Sequence, residues 1–124
     1  MDMKLELIAL PVSNVDTALD FYQNKAGFHL DHDQKVNDQL RFIQLTPPGS
    51  ACSITIGSGI ATDMEPGSVK GLQMVVTDAQ AAYDELKGRG VEATEPESMP
   101  WGTFVYFNDP DGNKWALQQL PPRP

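Results

Sequence analysis

The chain has 124 residues, 40% of them apolar, and a formal net charge of −8, which suits one soluble domain with a single sizeable core. Nine scattered Lys and Arg residues argue against a nucleic-acid surface, because phosphates need basic clusters. No apolar run is long enough for a bilayer, Met1–Lys4 does not open a secretory leader, and the single Cys52 excludes an internal disulfide. The expectation is a cytoplasmic protein with no membrane or nucleic-acid partner, whose acidic surface favours cationic ligands.

In chain order, Leu5–Leu10 predicts a short strand ended by Pro11. Ser13 and Asn14 supply helix-capping chemistry, and Val15, Ala18, Leu19 and Tyr22 recur at the spacing of one helical face that Gly27 stops. Three strands follow at Phe28–Asp33, Leu40–Thr46 and Ala51–Ile56, separated by polar and Pro-Gly turns. From Gly57 to Lys70 the pattern lapses into a linker. Leu72–Val76 then predicts a strand, Asp78 a cap, and Ala79, Ala82, Tyr83 and Leu86 a second helical face ended by Gly88 and Gly90. A short strand around Val91–Ala93 is expected before the final stretch.

That stretch, Trp101–Gln118, predicts a β-hairpin turning at Asp109-Pro110-Asp111-Gly112. Pro110 has its φ preset for the turn, and Gly112 can take the left-handed conformation that closes a three-residue loop. The implied register sets Phe107 opposite Trp115, Tyr106 opposite Ala116 and Phe104 opposite Gln118. Val105, Phe107, Trp115 and Leu117 then form a packing face. Phe104, Tyr106, Ala116 and Gln118 form the other face, and the turn itself is read as structural.

The order of elements repeats, with Val12–Asp16 matching Val76–Gln80 at an offset of 64 residues. The simplest account is an α+β fold of two tandem βαβββ modules within one domain spanning 1–124. Module one covers 3–57, a linker 58–69 and module two 70–120. Curved mixed sheets with helices on their outer faces would enclose a cleft.

The Pro11–Val15, Phe21-Tyr22 and Gly27-Phe28 opening, the second Val76-Thr77-Asp78 helix start and the Phe107–Asn113 ending with Leu117-Gln118 together resemble the vicinal oxygen chelate superfamily. Its members include glyoxalase I, extradiol dioxygenases, and the fosfomycin and bleomycin resistance proteins. The resemblance implies paired βαβββ modules, a homodimer and a ligand cleft, but no single reaction. Such enzymes usually hold a divalent metal with His and Glu from four strands. Carried over residue by residue, those positions fall on Leu7, Leu72, Ala116 and one of Ser53 or Thr55. None is a good metal donor, so neither metal nor cofactor is expected. His29 and His32, three apart in a regular strand, would face opposite ways, with Asp31 and Asp33 beside His29 on a solvated edge. The acidic pairs Asp109/Asp111 and Glu95/Glu97 belong to turn and loop.

Without a metal, the cleft face would carry Leu7, Ala9, Ser53, Thr55, Leu72, Met74, Phe104, Tyr106, Ala116 and Gln118, with Trp101 over its mouth. An apolar lining with a few polar groups is typical of small-molecule sites. The plainer reading is that Met74, Phe104 and Tyr106 fill the sheet interior and Trp101 packs at a dimer contact. One function is metal-independent binding of a small organic ligand, aromatic or cationic, as in the bleomycin resistance branch. Another is a metal-free lyase, isomerase or epimerase acting on a small carbonyl compound. There Tyr106 would be the acid or base, Gln118 the oxyanion donor, Arg41 the candidate neighbouring cation and His29 a fallback base. A third is a metal enzyme whose ligands lie elsewhere.

Overall fold

The computed structural model describes residues 1–122. Its strands are β1 (Leu7–Ala9), β2 (His29–Lys35), β3 (Arg41–Thr46), β4 (Ser53–Ile56), β5 (Leu72–Val76), β6 (Glu97–Met99), β7 (Gly102–Asn108) and β8 (Lys114–Gln119). They form two open four-stranded sheets, ordered β1-β4-β3-β2 and β5-β8-β7-β6. In each sheet the first strand pairs in parallel with the last, and the other pairings are antiparallel. This is the expected α+β architecture of two βαβββ modules.

The helices start where their caps dictate. Asn14 accepts the Thr17 amide at the start of α1 (Val15–Asp20), and Asp78 accepts the Ala81 amide at the start of α2 (Ala79–Gly88). After Asp20 the helix widens into a π-helical turn over Phe21–Lys25, closed by the Ala26 amide on the Phe21 carbonyl at 2.8 Å. Adjacent Phe21 and Tyr22 are both buried in this turn, their rings edge to face at 5.2 Å.

Alternation sends Ile43, Leu45, Ile54 and Ile56 of the first sheet, and Leu72, Val105, Phe107, Trp115 and Leu117 of the second, into one continuous core. Rings from module one meet the hairpin of module two there. Phe28 lies 5.5 Å from Trp115, Tyr22 6.0 Å from Trp115, and Phe21 6.2 Å from Phe107. The hairpin register is the expected one.

The Asp109–Asn113 turn does more than reverse the chain. Asn113 is fully buried; its amide donates to the Pro11 carbonyl, 3.0 Å, and its oxygen accepts the Val69 amide, 3.1 Å. Ser13 bonds Asp111 through both its amide and its hydroxyl, and Lys70 Nζ reaches the Gly112 carbonyl at 2.7 Å. Gly67 at φ +81° lies so close that a Cβ there would stand 2.0 Å from the Asp111 carbonyl oxygen. The turn therefore joins the end of β1, the segment before β5 and the body of module two.

Two local expectations are corrected. Val91–Ala93 is not a strand: Val91 plugs the core, Ala93 makes an isolated bridge to Phe107, and β6 begins only after Pro96, which has no amide to donate. In β2, a bulge between Leu30 and His32 shifts the register, so His29 pairs with Thr46 and His32 with Gln44. Both histidines consequently lie on one face of the sheet, whereas regular alternation would have opposed them.

Candidate functional site

Each sheet has a second face, opposite the shared core. On the first sheet it carries Leu7 and Ala9 of β1, Ser53 and Thr55 of β4, and Gln44 and Thr46 of β3. On the second it carries Ala116 and Gln118 of β8 with Phe104 and Tyr106 of β7. The rings of Phe104 and Tyr106 are nearly parallel, 9° apart with centroids at 6.1 Å, so they form an aromatic platform beside Ala116. Trp101 precedes β7 and is 60% exposed, and its carbonyl accepts the Gln118 amide at 2.9 Å.

Leu72 and Met74, expected on this face, lie on the other one. The parallel register sets Leu72 against Trp115 and Met74 against Leu117, so both turn toward the core. Gln73 and Val75 take their place, opposite Ala116 and Gln118. Met74 instead contributes to a separate pocket of about 620 Å³ on the helix side, between α2 and the Pro47–Ser50 turn, with Phe28, Leu86 and Phe107. The signal for the correct parity was in the repeat: the 64-residue offset between caps Asn14 and Asp78 is even, so it carries Ala9 onto Gln73.

The corrected register allows a test of the metal donors that the resemblance implies. Leu7 stands beside Ser53, and Gln73 beside Ala116. Leu7 and Ala116 have no donor atom. The Ser53 hydroxyl is 2.6 Å from Thr46 Oγ1, and the Gln73 amide donates to Gln118 at 2.7 Å. A set without imidazole, thiolate or carboxylate does not fit a divalent ion. Among the described residues, no cluster of three or more His, Cys, Asp or Glu is arranged to hold one.

Charged groups are few here and differ from those expected. Arg41 lies on the core side of β3, bonding Asp33 through two nitrogens at 2.9 and 2.8 Å and Asp16 at 2.8 Å. Its bonds hold the Asp33 carboxyl below the usual carboxylate range. The cation beside Tyr106 is Lys114, with Nζ 4.8 Å from the ring centroid. On the first sheet, Asp31 of the bulge accepts the Thr46 hydroxyl, and His29 Nε2 stands 3.7 Å from its other oxygen. Alternation sets Asp31 beside His29, as expected, while its bond to Thr46 of the neighbouring strand has no local sequence signal.

Among known proteins, residues 4–117 match the family model for the Glyoxalase/Bleomycin resistance protein/Dioxygenase superfamily. The structure is similar to that of TnmS3, an antibiotic binding protein from Streptomyces sp. CB03234, at 35% identity and a TM-score of 0.87, covering 97% of this chain and 98% of that one. It is also similar to a superfamily member from Sphaerobacter thermophilus, at 33% identity and a TM-score of 0.81, covering 94% and 97%. In sequence it is 28% identical to the uncharacterized protein YetH of Bacillus subtilis (strain 168), over 96% of this chain and all of that one. Among the described residues no helix is long and apolar enough to cross a membrane.

Proposed function

The chain belongs to the glyoxalase/bleomycin resistance protein/dioxygenase superfamily, and from that premise we propose that it binds a small organic ligand without a metal and without chemical turnover, in the cytoplasm. The observation that carries this reading is the face shared by Phe104, Tyr106 and Ala116: an aromatic platform where an enzyme of the family would need a metal donor. Similarity to an antibiotic-binding protein supports it. The proposed contacts are Leu7, Ala9, Ser53 and Thr55 from one sheet, and Trp101, Phe104, Tyr106, Ala116 and Gln118 from the other.

Two copies complete the cleft as a homodimer in this proposal. Leu7, Val75 and Trp101 are 36%, 62% and 60% exposed in the single chain, and a partner covering them would bury apolar surface at the site itself. Metal-free turnover at Tyr106 is the second reading, favoured by the proximity of Lys114. The lysine stands over the ring face, however, in a cation–π contact with the ring.

Titration calorimetry with a panel of planar aromatic compounds, with and without a chelator, tests the proposal. Micromolar binding that survives chelation and weakens about tenfold in Phe104→Ala is expected. Failure of the whole panel overturns the binding reading, and loss of affinity on chelation overturns its metal independence.

A further inference from the structure

One polar chain on the first sheet has a fixed direction. Thr46 Oγ1 bonds Asp31 Oδ2, and a carboxylate can only accept, so the single Thr46 proton is committed there. Ser53 Oγ lies 2.6 Å from Thr46 Oγ1, and with the Thr46 proton spent, Ser53 must be the donor of that bond. Gln44 Nε2 donates in turn to Ser53 Oγ at 3.4 Å. The protons therefore run from Gln44 through Ser53 and Thr46 to Asp31. Ser53 has one lone pair left and no free proton. Asp31, with its side chain 23% exposed, accepts one bond among the described residues, and His29 at 3.7 Å is too distant to make a second.

We propose that Ser53 and Asp31 form an acceptor-only subsite that takes a protonated amine of the ligand. This rests on the ligand-binding reading above and adds the ligand's chemical class. The two acceptors are two hydrogen bonds apart along the chain, and both lie on the face that carries Leu7 and Thr55. An ammonium offers three donors and a positive charge, matching one neutral and one anionic acceptor. A carboxylate or phosphate would meet lone pairs at Ser53 and like charge at Asp31. Ser53 is buried and Thr46 half-buried, so solvent competes weakly for their bonds.

Three probes on one aromatic scaffold distinguish the outcomes: 1-naphthylmethylamine, 1-naphthalenemethanol and 1-naphthoic acid, titrated into the full chain by calorimetry. The amine is expected to bind about tenfold more tightly than the alcohol, with the acid weakest, as for a charge-assisted hydrogen bond. Asp31→Asn should bring the amine down to the alcohol. Thr46→Val frees the Ser53 proton to point into the cleft and should narrow the gap between amine and acid. Far-ultraviolet circular dichroism checks that each variant folds. Equal binding of amine and alcohol by the wild type, or an unchanged preference in both variants, overturns the subsite and leaves ligand binding standing. Binding of none of the three overturns both.

Discussion

Two aspartates end hydrogen-bond chains in this protein, and their surroundings separate structure from recognition. Asp109 is 5% exposed, and both of its oxygens are fully used. Oδ1 accepts the Asp111 and Asn113 amides at 3.0 and 2.9 Å; Oδ2 accepts the Tyr22 hydroxyl at 2.7 Å and the Asn113 side chain at 2.8 Å. A carboxylate has about four lone-pair sites, and here all are filled. Asp31 accepts the Thr46 hydroxyl alone among the described residues. A closed carboxylate has no capacity left for a ligand and fixes the fold. An open one on a sheet face retains the capacity to bind.

Removing the closed carboxylate should have the largest effect. Asp109→Ala strips partners from Tyr22, Asn113 and the turn amides, and is expected to cost about 4 kcal/mol or to abolish folding. Urea denaturation measures it, and a cost below about 1 kcal/mol would remove the turn's role as the joint between modules.

Tyr22→Phe comes next, at about 2 kcal/mol, because Asp109 loses a donor and Trp115 Nε1 loses its acceptor at 3.0 Å. It also carries a pH signature. Burial first, and then the charge and hydrogen bond of Asp109, push the Tyr22 phenol well above its ordinary value. A group raised in the folded state supports folding below its unfolded pKa, about 10, and that support is lost as pH climbs above it. Wild-type stability should therefore fall by about 1 kcal/mol more than that of Tyr22→Phe between about pH 10 and 11. Parallel slopes would show that the phenol is not held neutral.

Much of this is legible in the sequence. Caps, glycine stops and the Asp-Pro-Asp-Gly loop are local chemistry, so they fixed the helix starts and the hairpin register. Leu72 and Met74 lie on the core face because polar Gln73 between them takes the other one, a parity that the even offset of the repeat also gives. Asp33 and His32 exchange faces relative to regular alternation because a bulge breaks the period of two: Asp33 pairs with Ile43 on the core side, and His32 joins His29. The links from Tyr22 to Asp109 and from Pro11 to Asn113 span 87 and 102 residues, and no local pattern encodes such contacts.

A third aspartate lies between the two extremes. Asp33 is ion-paired with Arg41 but partly solvated, at 30% side-chain exposure. Screening limits the pair to at most about 1 kcal/mol. Its carboxyl is depressed by the Arg41 hydrogen bonds, so the contribution exists above the unfolded value of about 4 and disappears as pH falls below it. Asp33→Asn should cost up to about 1 kcal/mol at neutral pH and nothing measurable near pH 2. A cost that persists in acid would point to packing rather than charge.

The smallest expected effect on stability is the most discriminating. In Asp31→Asn the amide oxygen still accepts the Thr46 hydroxyl, so the chain from Gln44 survives and unfolding should shift by no more than about 0.5 kcal/mol. The same substitution removes the negative charge at the end of the proposed amine subsite, where affinity should fall about tenfold. Stability and binding thus separate at Asp31 and cannot separate at Asp109, where the bonds that hold the fold use every acceptor. If Asp31→Asn cost as much stability as Tyr22→Phe, Asp31 would be a structural carboxylate as well, and the contrast between a closed and an open site would fail.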